Sequence, residues 1–410
     1  MQATLFLCTI KAMNPTKEHQ FRNKINWYVF LLSLLVVLIH SVNLAINNQT
    51  LETMILTADH TGETIPGITG IAGHIEHLLS NALGQMAVPG FFLVSGYLFF
   101  RTLRGFRDIG RKWYERMGSL VVPYGAWNVL WYLVYVLSGR RSFSLEAMSE
   151  AAVSYACNPT FWYMHQLILL TLLAPILYAL LRTSWIMILS LLLLTVYIYA
   201  GYQLPLVNAD ALIYYGVGAL FACHGRTFFE SGTAEIAGVS MLLLAWILQI
   251  LTPVKLTHFV IHAESGIARM SLMTYLLSGG PLACGIGRLL QQLPLFVFSL
   301  SSAGAQAVVA IVRRLLLSLG LWFVLPMEKL PDARPYMKNS FFLYAVHYPI
   351  ARAQCYMIKY LGIPYDGWGE MIHLIAYLLT PVAAVAAAYG LKRILQRYLP
   401  LQWKILSGGR

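Results

Sequence analysis

Charged side chains are what this chain has least of. They make up 11% of its 410 residues, against about 25% in soluble domains. With 58% hydrophobic residues and a mean hydropathy of +0.63, the deficit excludes an ordinary soluble domain and points to an all-α, polytopic membrane helix bundle. Cysteine is sparse as well. Cys8, Cys157, Cys223, Cys284 and Cys355 show no CxxC spacing, and most lie in or beside apolar segments. Neither a disulfide framework nor a zinc site is indicated. The pairs His74/His77 and His258/His262 lack carboxylate or Cys partners at fixed offsets, so no metal site is expected. A secretory signal is not evident, because the apolar stretch Leu5 to Ile10 is too short for one. Met13 is an alternative start, and residues 1–12 are expected to be disordered in, or absent from, the mature protein. There is no internal repeat and no low-complexity linker.

What the chain does have is a succession of apolar runs. Spans are expected near 27–46, 84–100, 118–138, 161–181, 184–200, 209–223, 236–252, 340–359 and 368–391, with a short one at 315–326. That makes about ten crossings of roughly 20 residues each. The stretches 270–287 and 292–312, inside the region 253–312, form either an extra helix pair or re-entrant segments, which would raise the count to twelve. Aromatic residues, at 13%, suit interfacial belts.

Loop charge gives the orientation. The segment before the first span carries Lys11, Lys17, Arg22 and Lys24. The 47–83 loop carries Glu52, Asp59, Glu63 and Glu76 and no Lys or Arg, and the next loop holds Arg101, Arg104, Arg107, Arg111, Lys112 and Arg116. By the positive-inside rule both ends are cytoplasmic; Arg140 and Arg141 are a mild exception. The expected organisation is a cytoplasmic segment 1–26, one membrane domain 27–391 and a basic tail 392–410. Basic residues confined to short loops and ends also mean that the net charge of +12 does not indicate nucleic-acid binding.

One ionisable residue, His40, stands alone inside the uncharged run Phe30 to Leu44. At ~1.5 Å per residue it lies about 20 Å along a helix from Trp27, toward the outer face. An ionisable group at membrane depth is costly and marks a candidate functional site. Imidazole is suited to taking a proton from a hydroxyl near neutral pH. The bland alternative is a histidine that bonds a neighbouring helix, with Asn43 available to orient the ring. Other polar groups within apolar runs are Ser95 and Tyr97, Tyr124 and Asn128, Trp162 and His165, and Tyr344 and His347. The Gly-x-Ser-x-Gly elbow is absent around Ser95, which argues against a serine nucleophile. His347 follows Tyr344 on one helix face, where packing serves as well as chemistry.

Five pieces in order carry a resemblance. They are the Val36-Val37-Leu38-Ile39-His40 end of the first span; Val88-Pro89-Gly90-Phe91-Phe92-Leu93-Val94-Ser95-Gly96-Tyr97-Leu98; Arg116 before Leu120-Val121-Val122-Pro123-Tyr124 and Trp127; Phe161-Trp162-Tyr163 with Leu167; and Ser340-Phe341-Phe342-Leu343-Tyr344-Ala345-Val346-His347. Together they resemble the acyltransferase family 3 membrane proteins over about residues 24–225 and 315–391. The resemblance implies ten transmembrane helices in the inner (plasma) membrane. It also implies transfer of an acyl group, often acetyl, from acyl-CoA to a hydroxyl of a cell-envelope glycan. On it, His40 falls on the catalytic histidine and Arg116 on a basic position beside the donor. Ser95, Tyr97, Tyr124 and Asn128 become candidates for stabilising the thioester oxyanion, and Trp162, His165, Tyr344 and His347 for substrate binding. Acyl-CoA is then a co-substrate, with no resident cofactor. The chain departs from the family pattern where an acidic residue and then Arg or Lys precede the histidine, for it has Asn26 and Val29 there. It also has Gly118 and Ser119 where a second Arg commonly follows Arg116. Lys24 or Arg22 is a candidate replacement. Competing readings are a transporter or flippase of a glycan or small molecule, and a member impaired in catalysis.

Overall fold

The computed structural model describes residues 14–42, 70–231, 234–251, 303–364 and 367–409, and among them there is no strand. In chain order the helices are α1 (Pro15–His40), α2 (Gly70–His77), α3 (Ala87–Phe100), α4 (Phe106–Arg116), α5 (Val122–Leu137), α6 (Leu145–Val153), α7 (Trp162–Leu172) and α8 (Ala174–Leu180). There follow α9 (Ser184–Tyr199), α10 (Ala209–His224), α11 (Arg226–Phe229), α12 (Glu235–Leu251), α13 (Ala303–Val324), α14 (Ser340–Tyr360), α15 (Trp368–Tyr398) and α16 (Pro400–Ser407). Five stretches are long and apolar enough to cross a bilayer: Pro15–His40, Ile71–Phe100, Phe106–Leu137, Gly304–Val324 and Trp368–Tyr398. A bent pair, Pro159–Leu172 with Ala174–Leu180, makes a sixth. The number of about ten spans and the placement of both termini inside stay expectations of hydropathy and loop charge.

Four boundaries differ from the expected ones, each for a physical reason. The second span starts at Ile71 rather than 84. The polar residues that hid its beginning are satisfied within the bundle: Glu76 and Ser80 are buried, and the Ser80 hydroxyl meets that of Tyr377 at 2.6 Å. A wide turn at Leu78–Leu83 and a tight one at Gly84–Met86 join α2 to α3. The third span is the second half of one helical run from Phe106 to Leu137. Its first part, α4, is amphipathic and charged, with Arg111–Asp108 and Lys112–Glu115 pairs on its surface, so hydropathy alone passes over it. The fourth breaks by 57° between α7 and α8, where Pro175 sits in the first turn of α8 and lacks the N–H that a continuous helix needs. The short span at 315–326 is the second half of the 22-residue α13. Arg313 and Arg314 interrupt the apolar run, yet both are buried. Residues 1–12, Asn43, His258, His262 and the stretch 253–302 lie outside the described residues.

Two apolar clusters hold most of the bundle's core. In the larger, α3 crosses α10 at backbone contact. A Cβ on Gly96 would come within 2.1 Å of the Tyr215 carbonyl oxygen, and one on Gly218 within 2.0 Å of that of Leu93. Only glycine permits this approach. Aromatic rings fill one end of this cluster: Phe229 stacks on Trp322 at 4.5 Å and on Tyr97 at 4.2 Å. The smaller cluster gathers Val37, Tyr124, Trp127, Phe161, Met164, Phe342 and Leu343, which draws α1, α5, α7 and α14 together. The tail closes over it. Trp127 Nε1 donates to the Leu406 carbonyl at 2.9 Å, and Trp403 packs on Phe342 at 5.1 Å.

Candidate active site

Helix α1 begins on an Asn14 cap with Pro15 in the first turn, runs through its apolar stretch, and stops at Ser41, whose N–H bonds Leu38. The hydroxyls of Ser33 and Ser41 return to carbonyls four residues back, so neither is left unsatisfied in an apolar setting. His40 is therefore the last helical residue, half-buried. Its ring lies 5.3 Å from His347 and 5.4 Å from Tyr348.

On α14, Tyr344, His347 and Tyr348 occupy one face by their i, i+3, i+4 spacing. His347 is fully buried, and its Nδ1 is 2.6 Å from the Tyr344 carbonyl oxygen. A carbonyl only accepts, so Nδ1 carries the hydrogen and Nε2 of the neutral ring presents a lone pair. That Nε2 has no hydrogen-bond partner among the described residues. The arrangement is two imidazoles side by side, one with its tautomer fixed by backbone, at the end of an apolar helix.

A line of polar rings leads inward from this pair. His347 contacts Tyr344 at 5.9 Å, Tyr344 contacts Tyr163 at 5.8 Å, and the Tyr163 hydroxyl is 3.3 Å from Ser95 Oγ. Tyr344 also stacks on Phe161 at 5.7 Å and donates its hydroxyl hydrogen to the Thr160 carbonyl. Phe161 in turn faces Tyr124, beside which lies His165 at 6.2 Å. Tyr124 donates to the Val153 carbonyl at 2.7 Å. One turn further on, Asn128 is fully buried with neither amide atom hydrogen-bonded among the described residues; the same holds for His165 Nδ1. Buried polar groups normally find partners. Three such atoms around one line of rings suit a site that receives a polar ligand.

The structure thus brings His40, His347, Tyr344, Ser95, Tyr124, Asn128 and His165 into one connected region. It does not bring all the expected residues there. Tyr97 donates to Glu230 at 2.6 Å, in a cluster on the other face of α3. Trp162 packs on Phe92 at 6.3 Å. Arg116 is half-buried at the end of α4. Arg101 is held by Glu18 and Glu230, both at 2.7 Å, and Arg22 by Glu18 at 2.9 Å. Lys24 is buried, with Nζ 4.6 Å from the centre of the Trp322 ring. Among the described residues no three His, Cys, Asp or Glu side chains gather as a metal ion requires.

Three residues near His40 escaped the sequence reading. Tyr348 touches it directly, and Arg352 lies 5.9 Å over the Tyr348 ring. Tyr163 joins Ser95 to Tyr344. The signal was available for Tyr348 and Arg352, which continue the Tyr344/His347 face at helical spacing. Tyr163 stands in the same motif as Trp162, but nothing in the sequence says that its hydroxyl reaches Ser95.

A family model described as an acyltransferase domain matches residues 22–390. No curated protein and no solved structure matches the chain. The matched segment takes in nearly the whole chain, from α1 to α15, and with it the histidine pair and the apolar helices around it; the chain therefore belongs to acyltransferase family 3, a family of membrane acyltransferases.

Proposed function

We propose that this protein moves an acyl group, acetyl in the simplest case, from acyl-CoA to a hydroxyl of a cell-envelope glycan. It does so in the inner membrane, with both termini on the cytoplasmic side. The observation that carries this reading is the His40–His347 contact at the end of α1, inside a chain that the acyltransferase model spans. Acyl-CoA is polyanionic and cytoplasmic. Arg116, with Arg104 and Arg107 near it in the chain, supplies guanidinium groups for its phosphates; Arg101 does not serve, because its charge is already met by two carboxylates.

In the transfer step the acceptor hydroxyl gives its proton to His40. The freed oxygen forms a bond to the thioester carbonyl carbon, and the carbon–sulfur bond breaks. The proton passes from His40 to the departing sulfur, so that free CoA leaves as the thiol. General-base assistance of this kind contributes about 10²–10⁴-fold. Asn128, Tyr124 and Ser95 supply hydrogen-bond donors for the oxyanion that forms on the way. His165, Tyr344 and His347 line the acceptor's side, while Tyr97 and Trp162 support the packing of α3 and α7. The test is to incubate membranes with radiolabelled acetyl-CoA and to follow label into envelope glycan. Label that depends on this protein supports the reading. Uptake of a glycan or small molecule without label contradicts it and favours a transporter.

A further inference from the structure

Two adjacent arginines sit in the middle of an apolar helix, and the histidine chemistry does not use them. Arg313 and Arg314 lie near the centre of α13, 2% and 7% exposed. Charge at this depth is costly and persists where it has a task. Arg314 donates from Nε to Gln85 Oε1 at 2.9 Å, and its Nη1 is 3.8 Å from Asp210 Oδ2. The second distance is too long for a hydrogen bond. Arg313 Nε is buried and has no hydrogen-bond partner among the described residues, and the same is true of the Tyr214 hydroxyl. Tyr214 stands one turn after Asp210 on α10 and within electrostatic reach of both arginines. Ser318 bonds the carbonyls of Met86 and Arg314, which fixes α13 against the start of α3.

The depth of this cluster is set by its neighbours. Gly84 packs under Ile39, the residue before His40: a Cβ there would come within 2.8 Å of Ile39 Cγ1. Gln85 is the next residue, and Arg314 reaches it. The guanidinium pair is therefore within about one helical turn of the level of His40. Among the described residues Asp210 faces Arg314 alone, which leaves Arg313 without a carboxylate and both Arg313 Nε and the Tyr214 hydroxyl without an acceptor. One further negative charge with planar geometry balances the site, and a carboxylate fits it: the guanidinium fork binds carboxylates in the bidentate manner, whereas a dianionic phosphate over-neutralises it.

We propose that Arg313, Arg314 and Tyr214, tuned by Asp210, form a binding site for one carboxylate group carried by a substrate. The carboxylate belongs either to an acidic sugar of the acceptor or to a dicarboxylic acyl group such as succinyl on the donor. Its place in catalysis rests on the transfer reading above; the binding itself does not.

The experiment is thermal unfolding of the full-length protein in lipid nanodiscs, titrated with sodium glucuronate, sodium monomethyl succinate, sodium phosphate, glucose or sodium chloride at matched ionic strength. Glucuronate or monomethyl succinate is expected to raise the midpoint, in the wild type and in His40→Ala alike, while glucose and chloride do not. Glucuronate acting alone assigns the site to an acidic acceptor, and monomethyl succinate acting alone to the acyl donor. Arg313→Gln is expected to weaken the apparent affinity by ~30-fold or more, and without any anion to unfold no lower than the wild type, since an unmet buried charge has been removed. Asp210→Asn is expected to tighten anion binding. A carboxylate shift that survives in Arg313→Gln overturns the proposal. So does a phosphate shift as large as the carboxylate one, or no carboxylate effect beyond that of chloride. Absence of acyl transfer with the carboxylate shift intact sinks the transfer reading alone.

Discussion

His40 shows what a single residue in a sequence can disclose. A lone imidazole in an uncharged run is legible without any structure, because its burial needs a reason. Its partner is not. Local spacing puts His347 and Tyr344 on one face of α14, but nothing in it says that this face meets the end of α1 at 5.3 Å. The orphaned Nε2 of His347 is likewise a property of the packed bundle. Its fixed tautomer makes a clear expectation. His347→Ala should lower acyl transfer by about 10-fold or more while leaving protein abundance in the membrane unchanged, since removing a partner of the base costs less than removing the base. His347→Gln should recover part of the loss, because its amide offers an acceptor oxygen in nearly the same place. Initial rates of label transfer at several acceptor concentrations check both. Equal rates in all three proteins would assign His347 to packing alone.

Elements were read well where they are uniformly apolar and poorly where buried polar residues break the run. The placement of α14 and the start of α15 follow the expected 340–359 and 368–391. The first half of α13 was read as part of a separate apolar stretch, 292–312, because Arg313 and Arg314 look like a loop to hydropathy, although Asp210 and Gln85 meet Arg314 inside the bundle. The true start of the second span was missed for the same reason at Glu76 and Ser80. The bend at Pro175 was readable from proline chemistry but was passed over in a run otherwise suited to crossing. At this scale the α3–α10 crossing gives a sharp expectation. Gly218→Ala should lower stability by about 1–3 kcal/mol or more, as overpacking does, because its methyl would fall on the Leu93 carbonyl. Gly118→Ala, in open space, should change it little. Thermal unfolding of the two variants side by side checks the difference; similar midpoints would mean that the helices cross with room to spare.

Across the whole molecule, the end of the bundle at the C-terminus of α3 is tied by an ion network that spans distant parts of the chain. Arg101, at the end of α3, bonds Glu18 of α1 and Glu230 after α11, and lies 4.6 Å over the Phe21 ring. Its side chain is 10% exposed and that of Glu230 is 9% exposed. Arg101→Met leaves Glu18 to Arg22 and Glu230 to Arg226, with an expected cost of about 1–3 kcal/mol. Glu18→Gln should cost less, since Glu18 is more exposed and Arg101 keeps Glu230. Unfolding midpoints in detergent order the two variants, and the reverse order would show that the α1 contact dominates. The sequence revealed this region only as an inside-positive loop, because charge counting sees the arginines and not the carboxylates that meet them. It did reveal the family, since five ordered motif pieces survive in a chain that lacks the usual basic residue at position 29.

The most direct test of the central claim is acyl transfer by His40→Ala in membranes that contain the variant at wild-type abundance, with radiolabelled acetyl-CoA and the cell's own envelope glycan. The expected result is loss of label by about 10²-fold or more, with the protein still inserted and folded. Label at the wild-type level would contradict the account, because the proton acceptor would then lie elsewhere.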